Sequence, residues 1–213
     1  MNIIKTRLTN ECLLPKLEDL YSTYKSILFD LKRIGYINLY HKHSELTIDY
    51  SFIKNISLEI NECISEILTI GIICAPPDCP EQPFHIDYDG KTSTYFIPLT
   101  DIDDDNGTEY ADISRLTNAD IFELHNRIIY DRNELKLKTF IVNAPKYSLI
   151  KMDTMLLHRG QSNKKSKHRC MFQIVVCKIP DFIITSDVLI PDAELDENND
   201  RTMKLLNSRT ITK

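Results

Sequence analysis

The chain has 213 residues, of which 42% are hydrophobic, and a formal net charge of −5, so it can bury one sizeable core and is poorly suited to general nucleic-acid binding through a basic face. No run of eighteen apolar residues marks a membrane span, the first residues carry no export signal, and the six cysteines form no Cys-x-x-Cys pair that would suggest a zinc knuckle or a disulfide scaffold. These features predict one soluble, intracellular (cytoplasmic) domain with reduced thiols and no membrane partner, and they leave the oligomeric state open.

The first third of the chain predicts two helices and two strands. Apolar residues recur at three- and four-residue steps over residues 14–34, which predicts an amphipathic helix that backs a sheet. Residues 36–40 are typical of a short strand, residues 57–67 of a second helix and residues 69–75 of a buried strand. The proline-rich residues 76–80 predict a loop, because proline has no N–H to donate to a sheet ladder.

The second two-thirds of the chain alternates short apolar segments with turns. Asp89 and Gly90 predict a tight turn, residues 101–107 an acidic turn and residues 118–130 a short helix. The predicted strands here are residues 93–99, 137–143, 148–152 and 171–176. Strands that follow initial helices predict a mainly β fold with flanking helices, namely a double-stranded β-helix, or jelly roll, backed by the N-terminal helices. Residues 192–201 are so polar that we expect an exposed or poorly ordered tail.

Two histidines and one aspartate have the spacing of metal ligands. In a strand, side chains at i and i+2 point to the same face, so His85 and Asp87 can hold one metal ion from one side. His158 follows the apolar residues 155–157, which we expect to form a second strand beside the first and to bring a third ligand. Two histidines and a carboxylate on one face of a metal leave the opposite face open, which is the arrangement of non-haem Fe(II) oxygenases.

The other histidines and the glycines offer no competing site. His41 and His43 share the i, i+2 spacing but have no carboxylate in register, and His125 and His168 stand alone, as histidines satisfied by hydrogen bonds often do. No Gly-x-Ser-x-Gly elbow or glycine-rich phosphate loop occurs.

A longer set of residues resembles one enzyme family. The set comprises the motif His85-Ile86-Asp87, the segment Phe96-Ile97-Pro98-Leu99-Thr100-Asp101 that leads to Asn106-Gly107, and then His158, Asn163 and Arg169. In order and spacing these residues, within residues 70–178, resemble the phytanoyl-CoA dioxygenase-like family of Fe(II)/2-oxoglutarate-dependent oxygenases.

The resemblance implies a dioxygenase that hydroxylates an unidentified substrate and releases succinate and CO₂. His85, Asp87 and His158 would be the catalytic metal ligands, and Arg169 would bind the distal carboxylate of 2-oxoglutarate, with Tyr95 as a second hydrogen-bond donor. The charges agree, because Fe(II) with one carboxylate ligand keeps a single positive charge and Arg169 adds another, which together match a dianion. O₂ is the implied second cosubstrate and ascorbate the implied reductant.

These expectations give one oxygenase domain over residues 1–213. Residues 1–68 would form a helical support, residues 69–178 the jelly-roll core and residues 179–213 a partly exposed C-terminal extension. The resemblance also implies that the insert between the two halves of the site helps to enclose substrate.

Two other functions share the ligand set. One is a non-catalytic jelly-roll module that holds a structural metal, and the other is a zinc hydrolase that activates a water molecule. Arg169 favours the oxygenase, because neither alternative needs an arginine at that spacing. A halogenase is disfavoured, since Asp87 leaves no ligand position for a halide.

The segment between His158 and Arg169 is the only clue to the substrate. Lys164, Lys165 and Lys167 predict either a solvated turn or a rim that attracts an anionic substrate, such as a phosphorylated or carboxylated small molecule or an acidic peptide.

Overall fold

Two antiparallel sheets carry the chain in the computed structural model, which describes residues 3–42, 48–87, 92–153 and 155–178. In chain order the strands are β1 (Ile3–Arg7), β2 (Gly35–His41), β3 (Ile67–Ala75), β4 (Thr92–Pro98), β5 (Thr108–Ala111), β6 (Thr139–Ile141), β7 (Ser148–Asp153), β8 (His158–Gly160) and β9 (Arg169–Cys177). The larger sheet has the order β1-β7-β4-β9-β3-β2, and the smaller sheet has the order β6-β5-β8. The described residues all belong to one compact unit, Met1–Pro180.

Helices accompany the sheets. They are α1 (Leu13–Phe29), α2 (Tyr50–Ile60), α3 (Asn118–His125) and α4 (Arg132–Leu135), with a 3₁₀ turn over Ile64–Glu66. No described helix is both long and apolar enough to cross a membrane. The mainly β architecture with added helices agrees with the prediction from the sequence.

Strand β9 is the centre of the larger sheet. All nine of its residues are buried, and it pairs with β3 on one side and β4 on the other. Because strand side chains alternate between faces, Phe172 packs toward Phe52 of α2, with ring centroids 6.2 Å apart. Met171 points the other way, into a core shared with Tyr110 of the smaller sheet. The inner face of β9 therefore looks into the space between the two sheets.

Both N-terminal helices differ from their predicted limits. Helix α1 ends at Phe29 and not at residue 34. Leu31, beyond the helix, lies against Gly35, where a Cβ would be 2.6 Å from Leu31 Cδ1. The predicted limits 57–67 of the second helix are wrong, and only residues 57–60 overlap α2. Helix α2 begins earlier, where Asp49 accepts a hydrogen bond from the Ser51 N–H at 2.9 Å, and it ends at Ile60, before Asn61 with its left-handed φ of 54°.

The insert between the two halves of the site contains less helix and strand than predicted. Helix α3 ends at His125 rather than at residue 130, and β6 has only three residues. Apolar side chains of the insert pack against residues that adjoin His85 and His158 in sequence. The cluster includes Ile121, Ile129 and Leu135 of the insert with Phe84, Ile86 and Leu157. Because Ile86 and Leu157 adjoin His85 and His158 in sequence, the insert's packed side chains support the two histidine segments, and the expected enclosure of substrate by the insert stays a prediction.

Three predictions lie outside the described residues. They are the tight turn at Asp89 and Gly90, the residue His43 and the polar tail beyond residue 178.

Candidate metal centre

The two predicted histidine ligands meet across a single antiparallel bridge. The His85 N–H donates to the His158 carbonyl at 2.8 Å, and the His158 N–H donates back to the His85 carbonyl at 2.8 Å. Neither flanking segment is a regular strand as predicted. Residues 83–87 form only this bridge, and residues 155–157 form a turn that precedes β8. One pair of main-chain hydrogen bonds is enough to place both side chains together.

The three ligand atoms converge. His85 Nε2 lies 3.7 Å from Asp87 Oδ1, and His158 Nε2 lies 3.5 Å from the same oxygen. All three atoms lie within 4.8 Å of one another, and no second group of three such side chains occurs in the described ranges. The structure therefore brings together the residues that the sequence predicts as the metal ligands.

Main-chain carbonyls orient both rings. His85 Nδ1 lies 2.8 Å from the Pro83 carbonyl oxygen, and His158 Nδ1 lies 2.9 Å from the Leu156 carbonyl oxygen. A carbonyl can only accept, so each Nδ1 carries the proton and donates, which leaves the Nε2 lone pair directed at the centre. This is the outer-shell hydrogen bond that metal-bound histidines commonly make.

The centre is also shaped electrostatically before a metal binds. Burial disfavours the charged form of the His158 ring, but the Asp87 carboxylate favours it, and the pKa of His158 is raised on balance. Gln173 of β9 donates from Nε2 to Asp87 Oδ2 at 3.4 Å. The Asp87 carboxylate thus favours positive charge beside His158, which a bound cation would supply.

Arg169 is a buried cation that contacts no carboxylate in the described chain. Its side chain is only 1% exposed, and Nη1 donates to the carbonyl oxygens of Asn106 at 2.6 Å and Gly107 at 2.9 Å. Within the described ranges, its Nε has no hydrogen-bond partner and the guanidinium pairs with no carboxylate. Burial lowers the pKa of Arg169. A buried arginine in this state has both an unmet charge and an unmet donor, which an anionic ligand would satisfy.

Tyr110 is a site residue that sequence reasoning missed. Its ring stacks beside His158 with centroids 6.1 Å apart and planes at 30°, and it packs in the same core as Met171. Burial raises the pKa of Tyr110, and its hydroxyl lies close enough to feel the charges of both Asp87 and Arg169. The signal that identifies it is the register Tyr110↔His158 between β5 and β8, which the sequence does not reveal.

Tyr95, the predicted second donor to 2-oxoglutarate, lies on the wrong face of the sheet. Its hydroxyl donates to Glu62 Oε1 at 2.5 Å, on the outer side of β4. Its β9 partner is Ile174, whereas Gln173, which reaches Asp87, pairs with Phe96. Strand β4 lies close to its predicted limits, but the face that carries Tyr95 does not follow from the sequence, because both faces of the strand are largely buried and give no alternation to read.

The lysine-containing loop packs against the acidic turn. Lys165 Nζ forms an ion pair with the Asp103 carboxylate, and the Lys164 N–H donates to the Asp105 carbonyl at 2.9 Å. Asn163 is buried and donates from Nδ2 to the carbonyl oxygen of Ala75 at 2.9 Å. The charge of Lys165 is therefore already partnered, while the side chains of Lys164 and Lys167 are exposed.

Comparison with known proteins gives matches among solved structures only. No family model and no curated protein matches the chain. The chain is similar to AviO1 from Streptomyces viridochromogenes Tue57 (13% identity over 85% of this chain and 91% of that chain, TM-score 0.58). It is also similar to HygX from Streptomyces hygroscopicus with nickel and 2-oxoglutarate bound (9% identity, 85% and 83% covered, TM-score 0.59). A third similar structure is SnoK, a non-haem α-ketoglutarate-dependent carbocyclase from nogalamycin biosynthesis (12% identity, 82% and 79% covered, TM-score 0.55).

At these identities the similarity establishes the fold. The solved structures that share it include a carbocyclase and an epimerase, SnoN, so one fold carries several outcomes of 2-oxoglutarate-dependent chemistry. The narrower resemblance to the phytanoyl-CoA dioxygenase-like family stays a prediction. The chain thus has the fold of structures that include 2-oxoglutarate-dependent non-haem iron enzymes.

Proposed function

We propose that this protein is an Fe(II)- and 2-oxoglutarate-dependent dioxygenase of the jelly-roll class that hydroxylates its substrate. The observation that carries the proposal is the pairing of a convergent His85, Asp87 and His158 centre with a buried Arg169 that lacks an anionic partner. The three-residue centre and the buried arginine each have another explanation when taken alone. Together they would provide one site for a metal and one for a dicarboxylate.

The donor set fits Fe(II). Two imidazole nitrogens and one carboxylate oxygen lie on one side of the centre, and both imidazoles are held in the tautomer that a metal needs. The rings are fixed by main-chain carbonyls, so little side-chain entropy is lost when the ion binds. No thiol belongs to the set, which disfavours a structural zinc site of the cysteine-rich kind.

The surroundings of Arg169 fit the far carboxylate of 2-oxoglutarate. Its unpartnered Nε and its planar fork suit a carboxylate, and the carbonyl oxygens of Asn106 and Gly107 fix the orientation of Nη1. Tyr110 lies beside His158 and within electrostatic reach of Arg169. We infer that its hydroxyl takes the donor role that the sequence assigned to Tyr95.

The chain's own groups would bind, orient and exclude water. With 2-oxoglutarate and O₂, a bound Fe(II) supplies the oxidising chemistry that releases succinate and CO₂. Asp87 and the two histidines would hold that ion from one side. The apolar core around Tyr110, Phe96 and Met171 keeps water from the space between the sheets.

Hydroxylation is the favoured outcome within this class. Asp87 occupies the carboxylate position, so no ligand place is vacated for a halide, and hydroxylation requires no further specialised residue. A zinc hydrolase or a non-catalytic metal module would leave the buried charge of Arg169 unexplained.

For the substrate we propose a small molecule or peptide, with anionic character as the specific expectation. The expectation rests on the exposed Lys164 and Lys167, since Lys165 is paired with Asp103. Positive charges at the rim of a site raise the rate at which an anionic substrate is captured and leave the chemical step unaffected. Once a substrate is found, replacing both lysines by glutamine should raise KM at low salt and leave kcat nearly constant. An unchanged KM would remove charge as a guide to the substrate.

The function is tested by the turnover of 2-oxoglutarate. Purified protein with Fe(II), ascorbate and O₂ should convert 2-oxoglutarate to succinate, and candidate substrates should accelerate the conversion. His158→Ala should abolish it, whereas the matched variant His168→Ala, whose ring stacks on Phe29 at 3.9 Å, should retain it. Equal succinate formation by wild type and His158→Ala would overturn the proposal.

A further inference from the structure

Two buried cysteines face each other across the central strands on the side of the sheet away from the metal. Cys74 of β3 and Cys170 of β9 occupy directly opposed positions, and both are completely buried. Their sulfur atoms are 2.9 Å apart. This is closer than the roughly 3.5–4.0 Å between non-bonded carbon atoms in contact, and it approaches the bonded distance of about 2.05 Å.

The backbone suits a covalent link at this point. Opposed residues of an antiparallel pair have Cα atoms about 4.5–5.5 Å apart, which lies within the range that a disulfide spans. The pairing is continuous on both sides, with Ile73↔Met171 before it and Ala75↔Arg169 after it. Closing the last ångström therefore needs a side-chain rotation and no movement of the strands.

The neighbours of the pair favour reaction at Cys170. The Tyr21 hydroxyl of α1 hydrogen-bonds the Cys170 sulfur as well. Because a hydroxyl that donates to a sulfur stabilises the thiolate form, Cys170 is the better nucleophile of the two, and Cys74, whose sulfur lies 2.9 Å away, is placed to resolve what forms on it.

We propose that Cys74 and Cys170 are a peroxide-oxidisable pair that closes to an intramolecular disulfide in the folded protein. The Cys170 thiolate attacks one peroxide oxygen, the O–O bond breaks, and the other oxygen leaves as water, which leaves a sulfenic acid. The Cys74 thiol gives up its proton and attacks that sulfur, the S–O bond breaks, and the departing hydroxide takes the proton and leaves as a second water. In total the two thiols lose two protons and two electrons, and hydrogen peroxide is reduced to two molecules of water.

The link would join residues that are 96 apart in sequence, next to Arg169 and its strand partner Ala75. A cross-link of this span constrains the unfolded chain and should raise the thermal midpoint by several degrees. The effect concerns the fold alone, so its test does not depend on the proposed oxygenase activity.

The test uses the full chain with Cys12 and Cys63, the exposed thiols, changed to serine so that intermolecular disulfides do not form. Metal-free protein is treated with hydrogen peroxide, unfolded, alkylated and mapped by mass spectrometry. The proposal expects a Cys74–Cys170 linked peptide, two fewer alkylated thiols, and a rise in thermal midpoint that a dithiol reverses. Cys170→Ser should lose all three effects. Cys79→Ser, which removes another buried thiol, should keep them.

Two results would overturn the proposal. One is full alkylation of both Cys74 and Cys170 after peroxide treatment, and the other is a disulfide that joins either residue to Cys79 or Cys177 instead. If Cys170→Ser does not fold, the peptide map of the parent protein alone decides between these results.

Discussion

Each histidine of the candidate metal centre makes its Nδ1 contact with the carbonyl two residues before it. The partners are Pro83 for His85 and Leu156 for His158, at 2.8 and 2.9 Å. Such a contact is local, so a His-x-Asp motif and a lone histidine can each present Nε2 without help from distant side chains. The sequence could therefore predict the ligand residues, although the strands expected to carry them reduce to one bridge.

Removing any one ligand should remove the metal. Alanine at His85, Asp87 or His158 leaves two donors at most, and we expect these variants to lose stoichiometric Fe(II) while keeping a cooperative unfolding transition. Metal content by elemental analysis, with His168→Ala as the histidine control, measures this. Full iron content in any of the three variants would show that the ion binds elsewhere.

Replacing Arg169 should separate function from stability. A buried guanidinium with an unpartnered Nε is costly to hold in the ligand-free protein, so Arg169→Met should keep the free energy of unfolding within about 1 kcal/mol of wild type, or raise it. Binding should suffer instead. At 2-oxoglutarate concentrations of 100 Kd the wild type gains about 2.7 kcal/mol, whereas a variant that binds at least tenfold more weakly should gain no more than about 1.4 kcal/mol. Urea unfolding with and without the ligand compares the two, and a strongly destabilised variant would contradict the view that Arg169 awaits an anion.

Two tyrosines form a matched pair of variants. Tyr110→Phe removes the hydroxyl beside His158 and Arg169, and we expect it to weaken 2-oxoglutarate binding several-fold with metal content unchanged. Tyr95→Phe removes the donor to Glu62 and should lower the unfolding free energy by about 1–3 kcal/mol with 2-oxoglutarate affinity unchanged. Calorimetric titration and urea unfolding distinguish them. The reverse pattern would restore Tyr95 to the site.

At the scale of elements, the sequence identifies apolar segments better than it identifies their ends. Strands β2, β3, β4 and β9 lie close to their predicted limits because long apolar runs bounded by turn residues are specific. Helix α2 begins before its predicted start at residue 57, because Asp49 caps it. It ends before its predicted end at residue 67, because Asn61 adopts a left-handed conformation, although the apolar pattern continues beyond that residue. The face on which a side chain lies is harder to predict than the limits of its strand, as Tyr95 shows, because a strand that is buried on both sides has no alternation of polar and apolar residues.

A buried ion-pair cluster joins the insert to the smaller sheet. Glu109 of β5 is 1% exposed and accepts from Arg159 Nε of β8 at 2.8 Å, while Arg132 Nε of α4 lies 2.5 Å from its other oxygen. Burial opposes the charge on Glu109, but hydrogen bonds from Thr139 and Arg159 outweigh it and lower the pKa of Glu109. Arg159 follows His158 directly, so this cluster holds the strand that carries a metal ligand.

The stability that Glu109 contributes should therefore disappear in acid. Its folded-state pKa lies below the unfolded value of 4.5, so the contribution is fully present above that pH and is lost as the pH falls through the folded pKa. Glu109→Gln should cost roughly 3 kcal/mol at neutral pH, because Arg159 loses its buried partner, and should flatten the acid limb of the stability curve. Urea unfolding from pH 7 downward measures both effects. If the unfolding free energies of wild type and Glu109→Gln fell in parallel as the pH is lowered, this role would be contradicted.

At the scale of the whole molecule, composition and segment order predict the mainly β fold with helices, and the order of the strands does not follow from them. Strand β9, the last of the described strands in sequence, lies between β3 and β4, and β8 pairs with β5 rather than with a strand of the larger sheet. Those long-range pairings place Tyr110 against His158 and Arg169 between the two sheets. The convergence of His85, Asp87 and His158 could be predicted because their spacing is local, whereas their surroundings could not, because these depend on register between distant strands.

The most direct measurement of the central claim is equilibrium binding of 2-oxoglutarate without oxygen, with and without Fe(II), to wild type, His158→Ala and Arg169→Met. Fe(II) and Arg169 should hold opposite ends of one ligand. We expect tight 2-oxoglutarate binding only for wild type with Fe(II), and an affinity at least tenfold lower in His158→Ala and in Arg169→Met. Binding of 2-oxoglutarate that is equally tight in Arg169→Met, or independent of Fe(II), would contradict it.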